Sequence, residues 1–211
     1  MKPKQEIETN ASTEEKIKAA ARKVFTQKGY AATRTRDIAE ESGLNLALIN
    51  YYFRSKEKLF DIIMVENMQL FVHSVIDLLN DTKTTLQEKI KVLVGHYIDM
   101  IIKHPQMPIF ILNEINTNPG ALIDKIGMKA MHEDLYLIKQ WKEYAKKQKV
   151  TVPAIHIVMN VVAMTIFPFI ASPLLRHRTG LSIEAFNKLM EERKQLIPIW
   201  IEAIIQASVV K

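Results

Sequence analysis

The chain has 211 residues, 48% hydrophobic and 25% charged, with a formal net charge of +6. That balance fits a folded chain of one or two domains and excludes a disordered or collagen-like one. The absence of cysteine excludes disulfides, thiolate metal sites and cysteine nucleophiles and fits a reducing cytoplasm.

Met1 to Asn10 is polar and charged, and no uninterrupted apolar run reaches the ~18 to 20 residues of a membrane span, so no membrane partner is expected. Residues 1–60 hold 12 Lys and Arg against 8 Asp and Glu. The basic excess therefore lies at the N-terminal end, as phosphate binding favours.

Ser12 and Glu15 have capping-box spacing, and Ile17, Ala20, Ala21, Val24 and Phe25 then repeat at helical intervals. This predicts an amphipathic helix ending near Gly29. A short helix follows over about Thr35 to Ser42 with Ile38 and Ala39 inward, stopped at Gly43. Asn45 caps a third helix through Tyr52, and Ser55 a fourth carrying Leu59, Phe60, Ile63, Leu70 and Phe71.

Asn80-Asp81-Thr82 ends that helix, and Thr85 with Glu88 opens one lasting to His104-Pro105. Boundaries at Pro108, Asn118-Pro119-Gly120 and Thr151-Val152-Pro153 leave a helix around Ile109 to Asn116 and a long one within Ala121 to Lys149. A nearly all-apolar helix runs from Pro153 to about Ile170. After a turn over Pro173 to Gly180, Ser182 caps a last helix that Pro198 is expected to kink or split. No segment alternates with period two, so the fold class is all-α.

A helix-turn-helix needs a small residue at the helix crossing, a glycine in the turn and an apolar residue closing the second helix. Ala39, Gly43 and Ile49 stand at those places. The runs Thr35-Arg36-Asp37-Ile38-Ala39-Glu40-Glu41-Ser42-Gly43 and Tyr52-Phe53-Arg54-Ser55-Lys56-Glu57-Lys58-Leu59-Phe60, preceded by Phe25-Thr26-Gln27-Lys28-Gly29-Tyr30, resemble the DNA-binding domain of the TetR (tetracycline-repressor) family. The close resemblance spans about Thr13 to Glu66.

The resemblance implies a tail over 1–12, a helix-turn-helix domain over 13–60 and a helical ligand-binding and dimerisation domain over 61–211, coupled through the fourth helix. It implies a transcriptional regulator, not an enzyme, that binds a palindromic double-stranded operator as a homodimer and is released by ligand. Asn45 to Tyr52 would enter the major groove, with Thr33, Arg34, Thr35 and Arg36 gripping backbone or base and Lys56 meeting a phosphate. Leu46, Ala47 and Leu48 would meet thymine methyls, Tyr51 a phosphate, and Asn50 would also lie at the DNA. Arg34, Leu46 and Asn50 depart from the residues usual at their positions. Phe53 and Tyr52 read as core.

In the second domain, Tyr97, Met100, His104, Phe110, Met128, Met131, Trp141, Met164 and Phe167 are large, adaptable side chains suited to an apolar pocket. They predict a small apolar or amphipathic effector, neutral or cationic at most. By resemblance the last two helices form a four-helix bundle with a second copy. Asn160, the only strongly polar side chain between Ile157 and Phe167, is expected to pair across that two-fold axis. The six histidines form no metal-ligand set, and no glycine-rich phosphate loop or nucleophile motif is present, so no metal or cofactor is expected.

Overall fold

A computed structural model describes residues 4–128 and 135–210, and among them eleven α-helices and no strand. The chain divides into Met1–Met68 and Gln69–Lys211, a boundary later than residue 60. It falls within one helix.

In the first unit, α1 (Lys4–Ala32) starts before Ser12, which lies inside it rather than capping it. The intervening residues include Lys, Gln, Glu and Ala, all good helix formers. At Gly29 the backbone leaves the helical region (φ 75°, ψ 160°), so α1 kinks where its end was expected. Next come α2 (Thr35–Ser42), α3 (Leu46–Phe53) and the start of α4 (Lys56–Asn80). Ile17, Ala21, Val24, Ile38, Ile49, Phe53, Leu59 and Ile63 make the core. Phe60 meets Phe25 edge-on at 5.3 Å and Tyr30 at 4.5 Å between ring centroids.

The second unit has α5 (Leu86–Lys103), α6 (Met107–Thr117), α7 (Pro119–Lys125), α8 (Tyr136–Gln148), α9 (Ala154–Ile170), α10 (Ser172–Thr179) and α11 (Ile183–Ala207). The capping box opening α5 is formed: the Glu88 N–H donates to Thr85 Oγ1 at 3.2 Å, and the Thr85 N–H to Glu88 Oε2 at 2.7 Å. Ser182 caps α11 through the Ala185 N–H. Ile90, Val94 and Ile98 of α5 pack with Ile157 and Val161 of α9 and with Ile197, Ile201 and Ile205 of α11.

Two expectations fail here. No long helix fills Ala121 to Lys149, because α7 stops at Lys125 and Gly127 takes a positive φ of 76° before α8 begins. Pro173 to Gly180 is no turn but most of α10, since Pro173 sits in the first helical turn, where proline needs no amide partner, and Gly180 ends it in the left-handed conformation. Pro198 lies within α11 without dividing it.

By length and composition α4 alone could cross a membrane, or α9 with α10 as a bent pair. The apolar positions of α4 instead enter protein cores, with Leu59 and Ile63 buried in the first unit and Val75 and Leu79 in the second.

Candidate functional site

The α2–α3 turn is built by its end residues. Arg34 is the extended N-cap of α2, and its N–H donates to Asp37 Oδ2 at 2.7 Å. That bond and the Lys28 ammonium 2.9 Å away hold the Asp37 carboxyl below its usual range. At the other end Gly43 (φ 66°, ψ 22°) returns its N–H to the α2 carbonyls. Asn45 then caps α3, accepting from the Leu48 N–H at 2.8 Å.

Ile49 and Phe53, one turn apart, bury one face of α3. Ala47, Asn50 and Tyr51 form the exposed face, with Tyr51 79% exposed. Leu46, Leu48 and Tyr52 are half-buried at the flanks. Asn45, Arg34 and Arg36 are exposed, and Thr35 is half-buried at the start of α2.

Two expected DNA contacts are engaged elsewhere. Thr33 is 2% exposed, and its hydroxyl donates to the Gly29 carbonyl at 2.7 Å, closing the end of α1. Lys56 donates to the carbonyls of Tyr30 at 3.1 Å and Thr33 at 3.0 Å and lies 4.2 Å from the Tyr30 ring centroid. Its ammonium satisfies carbonyls that α1 leaves unpaired, which makes it a structural cation rather than a free phosphate ligand.

Ion pairing sorts the other cations. Lys18 and Arg22 hold Glu66, Lys23 holds Glu41 and Lys28 holds Asp37. Among the described residues Arg34, Arg36 and Arg54 pair with no carboxylate, and Arg36 forms no ion pair with Glu40. Arg54 was missed by the sequence reading. It is the exposed C-cap of α3, held at φ 62°, a conformation non-glycine residues seldom adopt.

The second unit contains a cavity of about 420 Å³ between α5, α8, α9 and the end of α4, with an almost wholly apolar wall. Of the nine expected ligand contacts, Tyr97 and Trp141 line it. Met100, His104, Phe110, Met128, Met164 and Phe167 do not, and Met131 lies outside the described residues. Phe110 is buried in packing, Met164 packs against the α5–α9–α11 core, His104 is the C-cap of α5, and Phe167 is 65% exposed.

Most of the wall comes from aliphatic positions such as Leu79, Ile90, Leu135, Val158 and Val161, together with one charge, Lys89. Lys89 follows Leu86 by three residues, so helical periodicity already puts it on the buried face of α5. Burial pushes its ammonium below the ordinary lysine range. Asn160 is half-buried and off the cavity wall, in the helical stripe His156, Asn160, Ala163 and Phe167.

Comparison with known proteins matches residues 17–63 to the family described as "Bacterial regulatory proteins, tetR family". Over 202 residues the chain is 25% identical to the "Probable HTH-type transcriptional regulator YttP" of Bacillus subtilis (strain 168), covering 93% of this chain and 96% of that protein. Among solved structures, a TetR transcription regulator from Haloarcula marismortui superposes with a TM-score of 0.60 at 17% identity, over 95% of this chain and 100% of the other. The transcriptional regulator FadR from Bacillus subtilis, in complex with stearoyl-CoA, superposes with a TM-score of 0.51 at 15% identity, over 86% and 96%. At such identities the structures share the fold.

Proposed function

Because this chain is a transcriptional regulator of the TetR family, we propose that it is a repressor that binds a palindromic operator as a homodimer and is released by a small apolar or amphipathic effector. The observation carrying the DNA reading is the allocation of charge around the turn. Four cations of the first unit are committed to carboxylates and Lys56 to carbonyls, while Arg34 and Arg36 at the start of α2 and Arg54 at the end of α3 are exposed and unpaired. Between them α3 presents Ala47, Asn50 and Tyr51 to an incoming groove.

Dimerisation is supported by apolar side chains exposed on the isolated chain: Met159 and Phe167 on α9, and Leu189, Leu196, Ile199 and Trp200 on α11. Such a surface is large for a monomer and suits a self-complementary two-fold contact. Asn160 would pair there with its counterpart. The cavity supports the effector, since its volume falls in the range of small-molecule sites, ~300 to 1,000 Å³. A protein of the same fold holding stearoyl-CoA makes an apolar-chain ligand a natural occupant. The effector acts by favouring a dimer whose reading heads no longer match the half-sites.

Selection of bound sequences from a random DNA pool tests this reading. A two-fold symmetric motif with half-sites about one helical turn apart, bound with affinity that falls steeply as salt rises, is the expected result. An enriched motif without symmetry, or affinity indifferent to salt, overturns it.

A further inference from the structure

The cavity wall carries a full charge where apolar packing alone would place none. Lys89 is 1% exposed and lines the cavity. Its ammonium donates to the carbonyls of Leu79 at 3.0 Å and Asp81 at 2.7 Å, and it lies 4.8 Å from the Tyr136 ring centroid. Among the described residues no carboxylate lies within salt-bridge distance of it. All its partners are therefore neutral, and two of its three N–H donors are used.

Deeply buried lysines are as a rule paired, because an uncompensated charge in low dielectric is costly. The two carbonyls belong to the C-terminal end of α4, where a cation is welcome, but they supply no counter-charge. Capping alone also does not require the side chain to border an otherwise apolar space.

We infer that the cavity takes an aliphatic monocarboxylate, its carboxylate seated on Lys89 and its chain lying along the apolar wall. The chain has room to run. Leu86, Lys89, Ile90, Leu93 and Tyr97 all line the cavity, and the eight residues from Lys89 to Tyr97 span ~12 Å of α5. A single buried cation matches a single negative charge, whereas a phosphate dianion would leave one charge buried without a partner. A cationic amphiphile, which composition alone would admit, is repelled.

This assignment rests on the effector reading above but is tested separately from it. The full chain is titrated at neutral pH with cis-parinaric acid and with its methyl ester, which share the fluorescent chain and differ in the head. DNA affinity is measured in parallel with each compound. The unmodified protein should bind the acid at least about tenfold more tightly than the ester, as a charge-assisted contact in a desolvated site implies. Lys89→Met should bring the ratio close to one, and Lys89→Arg should keep it well above one.

Equal binding of acid and ester by the unmodified protein overturns the assignment without depending on any variant. So does undiminished acid preference in a folded Lys89→Met protein, which would leave Lys89 only a helix cap. If both compounds bind alike and both release DNA, the carboxylate assignment falls while effector release stands. If the acid binds through Lys89 without changing DNA affinity, the assignment stands and the release reading falls.

Discussion

Lys56→Met separates a structural cation from a DNA ligand. The substitution keeps most of the aliphatic stem over Tyr30 but removes the donors to the Tyr30 and Thr33 carbonyls and the charge above the ring. A hydrogen bond to a charged group contributes ~1.5 to 3 kcal/mol. Lys56 is half-buried, so water recovers part of that at both carbonyls. A net loss of about 2 kcal/mol follows for the two bonds together, a large share of the ~5 to 15 kcal/mol that holds a typical domain folded.

In a chain of this length about 2 kcal/mol lowers Tm by roughly 4 to 8 °C, measurable by circular dichroism. Below the transition, the slope of log affinity against log salt should not change, because no phosphate contact is lost. A phosphate ligand would behave oppositely, with Tm nearly constant and the slope shallower by about 0.9. That second pattern would refute the placement of Lys56.

Arg36→Ala should cost ~1 to 3 kcal/mol on the preferred operator and relax preference at one base pair per half-site; equal losses on operator and random DNA in competition binding would rule out base contact. Asn160→Leu should remain dimeric in sedimentation, since an apolar residue replaces a buried amide at the two-fold contact, and a monomer would remove Asn160 from that interface. Hydrogen bonds from the Thr85 N–H and hydroxyl hold Glu88 below the usual carboxylate range. Its contribution to stability is thus fully present above pH ~4.3 and disappears as acid takes the pH down through the lowered value. Urea midpoints between pH ~6 and ~3 should fall less steeply for Glu88→Gln than for the unmodified chain; parallel curves would contradict this.

The helix-turn-helix was legible because few sequences satisfy its geometry. Gly43 must turn left-handed, Ile49 must close the crossing, and Asn45 and Ser55 must cap the helices after it, all within two dozen residues. Cap readings failed where a cap competes with strong neighbours: Ser12 follows residues that prefer helix, so the helix runs through it. The break at Gly127 was missed because the residues before and after it keep helical composition, and a positive φ is a property of one residue rather than of a pattern. The cavity was least legible. Size and flexibility singled out methionines and aromatics, but cavity lining depends on how α5, α8 and α9 are spaced, and the wall is mostly Leu, Ile and Val, indistinguishable in sequence from core. Lys89 was readable in principle, since it shares the face of Leu86, Ile90 and Val94.

Charge in the first unit shows why net composition is a poor guide to a DNA surface. The excess over residues 1–60 counts every lysine and arginine alike, yet an ammonium held on a carboxylate or a pair of carbonyls attracts a phosphate weakly at best. Lys18, Arg22, Lys23 and Lys28 instead tie α1 to carboxylates on α2 and α4, and Lys56 closes the end of α1. These cations stiffen the platform on which α3 is carried. The attraction is left to Arg34, Arg36 and Arg54, which are arginines rather than lysines, hold their charge at any working pH and present a planar fork suited to phosphate oxygens or a guanine edge. A reading head built on so few free cations relies on fit within the groove, because each lost contact removes a large fraction of its electrostatic affinity. Small changes in the spacing of two such heads are then enough to release the operator, which is the property a ligand-gated repressor requires.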